Sequence, residues 1–386
     1  MAELLAEIKK RLTSGDEASR KLFQRDLHET IASVETPKET AIRLSLYPLQ
    51  AAAARIGHDL RIFQTLDTQG PQTVSELQAL TGAHALTLGR LLRYMASVGL
   101  IRQSSADTFE ANSKCRHLAA PEAVTIVTHL NSKSFENCGP LFQEMPAFLR
   151  KNNYQDVTDG KATVFQPAYH TELDTYTYFS QHPDNLTALI KYMGLERDVR
   201  GRWLKEYPFE TQTQSWNPSA EEALFVDVGG NVGHYCALFK GQFPQLAGRI
   251  VLEDLPDTLN HALPTPGVEK LGHDFFQPQP IKGAKFYHLG WILHNWSDEK
   301  AKNILRQIKT AMAPHSVLLI NDMILPDSGA PPFATALDLV MLGACGSLER
   351  TGQQWKELLG DVGLSINEAV VYDQESFHGL ISATVA

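Results

Sequence analysis

The sequence has few cysteines, no long apolar run and no signal-like N-terminus. Its four cysteines, Cys115, Cys138, Cys236 and Cys345, are widely scattered and form no Cys-x-x-Cys pair, which excludes a disulfide-rich framework. No segment approaches the roughly 18 consecutive apolar residues of a membrane span, and the first residues, MAELLAEIKKRL, are amphipathic. We therefore expect a soluble, cytoplasmic protein with free thiols and no membrane contact.

Positive charge is also in short supply. The chain has 35 Lys and Arg against 44 Asp and Glu, a net charge of −9, whereas a nucleic-acid partner needs a basic face. Its acids and histidines lack the paired spacing that is typical of a metal site, so we expect neither nucleic acid nor metal. What is present is a length of 386 residues with 43% hydrophobic side chains, enough for two or three domains with a full core.

The stretch from Leu224 to His234, LFVDVGGNVGH, is the most informative segment. A short apolar run ending at Val228 is followed by Gly229, Gly230 and Gly233 and then by a helix-like run. This order predicts a buried strand, a tight turn and a helix N-terminus, the place where an α/β sheet receives a nucleotide-like ligand. The glycines indicate that the backbone and the ligand approach each other closely.

A second predicted strand, GRIVLEDL at 248–255, ends in Glu253 and Asp254. A carboxylate about two dozen residues after the glycine turn is in the usual position for contact with ribose hydroxyls. No lysine follows the last glycine, as it would in a triphosphate-binding loop, so an adenosine compound without phosphates fits better. The pattern favours S-adenosylmethionine (SAM) as the cofactor.

The sequence pattern divides the chain into three regions. Residues 1–120 predict a helical arm followed by a winged-helix domain, residues 121–214 a helical segment that lines a substrate chamber, and residues 215–386 an α/β domain. In the last region strands and helices alternate, which predicts a doubly wound, Rossmann-like and mainly parallel sheet. The chemistry is then expected at the carboxyl ends of its strands.

The first two regions each have two interpretations. A winged helix at 73–118 can bind DNA, but its second helix offers only Arg90 and Arg93, so we favour a structural role. The helical arm before it is typical of subunit association, and we expect a homodimer. In the second region, aromatic side chains such as Phe165 and Tyr176 predict the walls of an apolar pocket, although such sets also form ordinary cores.

Six motifs in register resemble a known family. They are VDVGGNVGH, GRIVLEDLP, HDFF, ILHNWSDEKA, LLINDMILPD and LERTGQQWKELLGDVGLS. In this order, behind a winged-helix dimerisation domain, they resemble the caffeic-acid-type O-methyltransferases, in the fungal branch that includes leporin-type pericyclases. The resemblance covers nearly the whole chain, and it implies a class I methyltransferase fold that binds SAM and an aromatic or polyketide-derived small molecule.

The resemblance also implies the site residues. The His of the family's ILHDW motif is the general base that takes a proton from the acceptor hydroxyl, here His294, and its partners are acids at the positions of Asp322 and Glu349. An imidazole with an ordinary pKa of about 6.5 serves as a base at neutral pH when a carboxylate orients it. Cofactor contacts are implied for Asp227, Gly229, Gly230, Asn231, Asp254, Leu255, Asp274, Phe275 and Gly290.

Four positions depart from the family pattern. Gly290 stands where family members often have a Lys or Arg that reaches the carboxylate of SAM, and Asn231 stands at the third loop glycine. Asn295 replaces the usual Asp after the catalytic His, and Asp322 replaces a Glu. Together these changes predict a remodelled floor beneath the sulfonium of SAM.

Two enzymatic hypotheses follow. In the first, His294 deprotonates a phenol or enol, and the oxygen attacks the methyl group of SAM. In the second, SAM stays intact and its charge polarises a carbonyl of a polyketide-derived, pyridone-like substrate, while histidines promote dehydration or a hetero-Diels-Alder-type cyclisation. The altered surroundings of His294 favour this pericyclase hypothesis.

His129 also favours the pericyclase hypothesis, because it is a plausible counterpart of a functional histidine in the pericyclases, although it fits an ordinary helix histidine equally well. A third hypothesis, a SAM-sensing winged-helix regulator, needs a basic face that the sequence lacks.

Overall fold

The computed structural model describes residues 8, 17–120, 138–183, 201–219, 221–374 and 376–386. The chain divides into two units, Met1–Ser132 and Lys133–Ala386. Of the predicted site residues, His129 lies outside the described residues. Among the described helices, none combines the length and the apolar composition needed to cross a membrane.

The first unit consists of helices and a small antiparallel sheet. Its described helices are α1 Glu17–Val34, α2 Pro37–Asp59, α3 Ile62–Gln69, α4 Val74–Thr81, α5 Ala85–Ser97 and α6 Ser113–Ala119. Strands β1 Gln72–Thr73 and β2 Arg102–Gln103 both pair with β3 Thr108–Glu110. Helix α4 begins with a capping box, in which Thr73 and Glu76 satisfy each other's backbone N–H groups. Two helices and a hairpin therefore occur in the order predicted for 73–118, and their identity as a winged helix stays an interpretation.

The second unit begins with short helices. They are α7 Gly139–Lys151, α8 Phe165–Tyr169, α9 Thr175–Ser180, α10 Trp203–Glu206 and α11 Phe209–Thr213. Phe165 and Phe179, from the segment predicted to line a chamber, are buried and pack against Ala344 in a local core. Tyr176, from the same segment, is 46% exposed. The aromatic set therefore contains both core residues and an accessible ring.

A seven-stranded sheet forms the centre of the second unit. Its strands are β4 Ala223–Val228, β5 Arg249–Asp254, β6 Val268–Gly272, β7 Phe286–Gly290, β8 Val317–Met323, β9 Leu364–Asp373 and β10 His378–Val385. They lie in the order β6-β5-β4-β7-β8-β10-β9, parallel except for β10, which runs antiparallel to both its neighbours. The helices after the first strand of this sheet are α12 His234–Gln242, α13 Pro256–Leu259, α14 Asp298–Lys309, α15 Pro332–Cys345 and α16 Gly352–Asp361. The doubly wound, mainly parallel fold is thus confirmed.

The central strands are predictable because both of their faces are covered. Every residue of β4 and of β8 is buried, as expected for parallel strands between two layers of helices. One face packs around Tyr287 and Trp355 and the other around Trp203 and Phe225. The sheet places the ends of β4, β5, β7 and β8 at one edge, which positions the candidate site.

Glu253 is a buried acid on β5. Its side chain has no exposed surface, and Oε2 accepts a hydrogen bond of 2.7 Å from Nε2 of Gln279. Burial raises the pKa of Glu253 to about 7, and the Gln279 contact opposes this shift only in part. Glu253 therefore binds its proton more tightly in the folded protein than in the unfolded chain, where the pKa has its ordinary value of 4.5. The contribution of this proton to the free energy of unfolding is fully present below pH 4.5, and it is lost as the pH rises through about 7.

Replacement of Glu253 by Gln removes this titration while keeping a side chain that can bond Gln279. We expect the free energy of unfolding of the variant, relative to the unaltered protein, to rise by on the order of 3 kcal/mol between about pH 5 and about pH 8. Urea unfolding at both pH values measures the difference. The matched control is Glu357→Gln on the exposed face of α16, which should follow the unaltered protein at both values. Parallel stability curves for Glu253→Gln and the unaltered protein would contradict the expectation.

Candidate active site

The glycine turn after β4 has the backbone conformation that its sequence predicts. Gly229 and Gly233 have φ angles of +71° and +87°, in the left-handed region that favours glycine. Asn231, at the position of the third loop glycine, also has a positive φ, 55°. Asn tolerates this region better than most residues, so the departure leaves the shape of the turn intact.

Gly230 is required for a different reason, which is space. A Cβ atom at this position would lie 2.4 Å from Oδ2 of Asp227 and 2.6 Å from Cδ1 of Leu252. Asp227 cannot readily move away, because its Oδ1 lies 2.7 Å from Nδ1 of His288 and neither side chain is exposed. Asp227 therefore supports the glycine turn, and its implied contact with the cofactor stays a prediction.

Asp254 lies at the end of β5, beside the glycine turn. Its Oδ2 accepts a hydrogen bond of 2.8 Å from the backbone N–H of Asn231, and its Oδ1 accepts one of 2.8 Å from that of Leu255. These bonds hold the carboxylate against the turn, while the side chain of Leu255 is exposed. The predicted grouping of carboxylate and glycine turn is therefore present.

An aromatic ring completes this edge of the sheet. Phe275 is half-buried, and its ring lies 3.2 Å from the position of a Cβ on Gly229. Asp274 fixes the local turn, because its Oδ1 accepts a bond of 3.0 Å from the backbone N–H of Phe276. The glycine turn, the Asp254 carboxylate and the Phe275 ring therefore lie close together. The turn itself, residues 229–234, contains no Lys or Arg. This set fits an adenosyl cofactor with a ribose and an adenine ring but without phosphates.

The packing around Gly290 explains why this position has no Lys or Arg. Gly290 ends β7, and a Cβ there would lie 2.6 Å from Cε2 of Tyr235 and 2.7 Å from Cε1 of His288. His288 is itself held by Asp227 and stacks on Trp203 at 4.6 Å. A lysine or arginine at position 290 would therefore displace two packed rings.

His294 lies on a 3-10 turn, Leu293–Asn295, that follows β7. Its Nδ1 lies 2.8 Å from Oε1 of Glu349, and both residues are buried. The ring also meets the Trp291 ring edge to face at 5.0 Å. The predicted pair of imidazole and carboxylate thus forms, although 55 residues separate its members.

Asp322 lies beside the same turn, and its implied part as a partner of His294 stays a prediction. Its Oδ2 accepts a hydrogen bond of 3.2 Å from the backbone N–H of Leu293, so it supports the turn, whereas Glu349 contacts the imidazole. Burial, and then the nearby Glu349, raise the pKa of Asp322 to about 7, against the opposing effect of His294. Burial therefore favours the protonated form of Asp322.

Two further residues support the His294–Glu349 pair, and the sequence interpretation missed both. Arg350 is buried, and it donates hydrogen bonds of 2.9 Å to the carbonyl oxygens of Leu293 and Trp296. Asp338 accepts a bond of 2.8 Å from the backbone N–H of Glu349. The position of Arg350 directly after Glu349 was a usable signal. In the described part of the chain, no group of three or more His, Cys, Asp or Glu could hold a metal ion.

The fold and this site define a class of protein: an α/β protein with a glycine turn suited to an adenosyl cofactor and a buried imidazole–carboxylate pair after a neighbouring strand. An O-methyltransferase domain model matches residues 219–365. The chain is 36% identical to demethylsterigmatocystin 6-O-methyltransferase of Aspergillus parasiticus, over 97% of this chain and 96% of that protein. The protein belongs to this O-methyltransferase family.

Two solved structures match the fold of this chain over its full length. LepI in complex with SAM has a TM-score of 0.84 and 34% identity, and a pericyclic reaction enzyme has a TM-score of 0.84 and 33% identity. In both cases the match covers 100% of this chain and 100% of the other. The predicted family and cofactor are thus confirmed, and SAM is the cofactor of this enzyme.

Proposed function

We propose that the protein is a SAM-dependent O-methyltransferase that acts on a phenol or enol hydroxyl, with His294 as the general base. The observation that carries this proposal is the buried contact of 2.8 Å between His294 and Glu349. SAM, when bound, supplies an activated methyl group. The residues of the chain supply the base, its orientation and a site from which water is largely excluded.

The Glu349 contact decides which nitrogen of His294 acts. Nδ1 donates its hydrogen to the carboxylate, so Nε2 is the nitrogen that takes the proton from the acceptor hydroxyl. The imidazolium that results is stabilised by the negative charge of Glu349. Asp322 and Arg350 hold the backbone of the same turn, which keeps the ring in place.

The departures from the family pattern no longer favour a different chemistry. Gly290 is explained by the packing of Tyr235 and His288, and Asn231 keeps the left-handed turn. Asn295 is hydrogen-bonded on both sides of its amide. His294 keeps its carboxylate partner. We therefore rank methyl transfer above the pericyclase that the sequence alone favoured.

A pericyclase remains the second candidate, because a solved pericyclic reaction enzyme matches this chain over its full length. In that case no methyl group is transferred, and His294 exchanges protons during dehydration or cyclisation of a polyketide-derived, pyridone-like substrate. His129 was predicted to assist, and it lies outside the described residues.

One experiment separates the two. The protein is incubated with SAM and a panel of phenols, enols and polyketide-derived alcohols, and products and S-adenosylhomocysteine are quantified by mass spectrometry. A methyltransferase yields one S-adenosylhomocysteine for each product that has gained a methyl group. A product that has lost water or kept its mass, without S-adenosylhomocysteine, would reject methyl transfer and support the pericyclase.

We also propose that the protein is a homodimer joined through α1 and α2. These helices expose apolar side chains that a monomer would leave in water, including Ile31, Val34, Leu44 and Leu49. Light scattering should give twice the mass of the chain, and Leu44→Glu should shift it towards one chain. Leu80→Glu, at an exposed leucine outside these helices, is the control. A single-chain mass for the unaltered protein would reject the dimer.

A further inference from the structure

Helix α9 is fixed to the rest of the second unit at its first residues. Asp174 caps the helix by accepting a hydrogen bond of 2.9 Å from the backbone N–H of Thr177. The hydroxyl of Thr175 donates to the carbonyl of Ala344, near the end of α15. The position of Tyr176, the next residue, is therefore well defined relative to α15.

The hydroxyl of Tyr176 contacts the turn that carries His294. It donates a hydrogen bond of 2.6 Å to Oδ1 of Asn295, the residue that follows His294. Tyr176 as a whole remains 46% exposed, unlike Phe165 and Phe179 in the local core. Burial, and then the neighbouring thiol of Cys345, raise the pKa of Tyr176 well above its ordinary value, so the hydroxyl keeps its hydrogen and can donate it.

Asn295 uses the other end of its amide to close the turn. Its Nδ2 donates a bond of 2.9 Å to the carbonyl of Trp291, whose φ of 58° lies in the left-handed region that bulky residues rarely adopt. A carboxylate cannot donate this bond, because it has no N–H group. An amide at this position can serve Trp291 and Tyr176 together, which accounts for Asn in place of the Asp usual in the family.

We propose that Tyr176 and Asn295 form a latch that joins the chamber helix α9 to the turn carrying His294, and that Tyr176 is a positioning residue for the acceptor. The latch sets the distance between an accessible aromatic ring and the base. An aromatic acceptor that packs on the ring is thereby presented to His294 in one orientation. This inference rests on the proposed function, since it takes the acceptor to be an aromatic hydroxyl compound.

The test measures steady-state kinetics with the phenol that gives the highest turnover in the panel above. Tyr176→Phe removes the hydroxyl and keeps the ring, and we expect the KM of the phenol to rise about fivefold, the effect of one lost hydrogen bond. Its kcat and the dissociation constant of SAM should stay within about twofold. Tyr178→Phe is the matched control on the same helix, because no hydrogen bond of its hydroxyl is present in the described residues.

Asn295 variants separate the two bonds of the latch. Asn295→Ala removes both bonds, so it should raise the phenol KM as Tyr176→Phe does and also lower kcat as Asn295→Asp does. The double variant should be no worse than Asn295→Ala, because the bond to Tyr176 is already lost in that single variant. Asn295→Asp keeps an acceptor for Tyr176 but loses the bond to Trp291. We therefore expect its kcat to fall about tenfold while the phenol KM changes little.

Three results would overturn the latch. The phenol KM could be the same for Tyr176→Phe and Tyr178→Phe, or the KM of the double variant could rise by the product of the two single effects. Tyr176→Phe could also weaken SAM binding as much as it raises the phenol KM. Hydrogen exchange provides a readout that needs no turnover. The amides of 175–180 should exchange faster in Tyr176→Phe than in Tyr178→Phe. If the panel yields no methylated product but this difference is present, the proposed function fails and the latch stands; without the difference, the latch fails.

Discussion

Replacement of His294 by alanine is expected to lower the rate of product formation by about 10³-fold. A positioned general base contributes about 10² to 10⁴ in rate, and we propose this role for Nε2 of His294, whose Nδ1 contacts Glu349. The ring is almost fully buried beside Trp291, so water cannot easily take its place. Single-turnover formation of S-adenosylhomocysteine with a saturating phenol measures the effect.

Glu349→Gln isolates the charge of the partner. The amide oxygen can still accept the hydrogen from Nδ1, but it does not stabilise the imidazolium that forms when His294 takes a proton. We expect a loss of about one to two orders of magnitude in kcat, smaller than that of His294→Ala. The pair of variants therefore separates the orientation of the ring from the stabilisation of its charge.

The controls show whether chemistry or binding is lost. His261→Ala, at an exposed histidine, should retain full activity, and the dissociation constant of SAM should be unchanged in His294→Ala and in Glu349→Gln. A His294→Ala enzyme that keeps more than about a tenth of the rate would refute the assignment of the base, since the expected loss is far larger.

The central strands could be predicted, but one strand of the sheet was missed. Strands β4 and β8 are buried along their whole length, and such apolar runs are visible in a sequence. Strand β6, Val268–Gly272, lies at the edge of the sheet with partly exposed, charged residues, so it gives no apolar run.

The composition of the site could be predicted better than its contacts. The motifs indicate that His294, Asp322 and Glu349 belong together, but which acid meets the imidazole depends on loop geometry over 55 residues. Gly290 was interpreted as a lost cofactor contact. Its physical cause is the buried pair of Asp227 and His288, which are 61 residues apart in sequence. Long-range packing of this kind leaves no local signal.

Asp254→Ala is expected to weaken SAM binding by about 10- to 100-fold without unfolding the protein. The carboxylate lies at the end of β5, where it would bond the ribose hydroxyls, and in the described structure it accepts hydrogen bonds from the backbone N–H groups of Asn231 and Leu255. Hydrogen bonds to a charged group contribute about 1.5 to 3 kcal/mol, which gives this range. Isothermal titration with SAM measures the affinity.

Gly230→Ala tests the space beneath the same turn, and we expect SAM affinity to fall at least about 100-fold. The added methyl would lie 2.4 Å from the Asp227 carboxylate, which His288 holds in place, so the turn itself must move. Gly241→Ala in α12 is the matched control, because a Cβ there meets no atom within 4 Å. Both variants should remain folded by circular dichroism. If folded Gly230→Ala bound SAM as tightly as Gly241→Ala, the turn after β4 would not be the cofactor site, since no ligand in close contact with that backbone would tolerate its displacement.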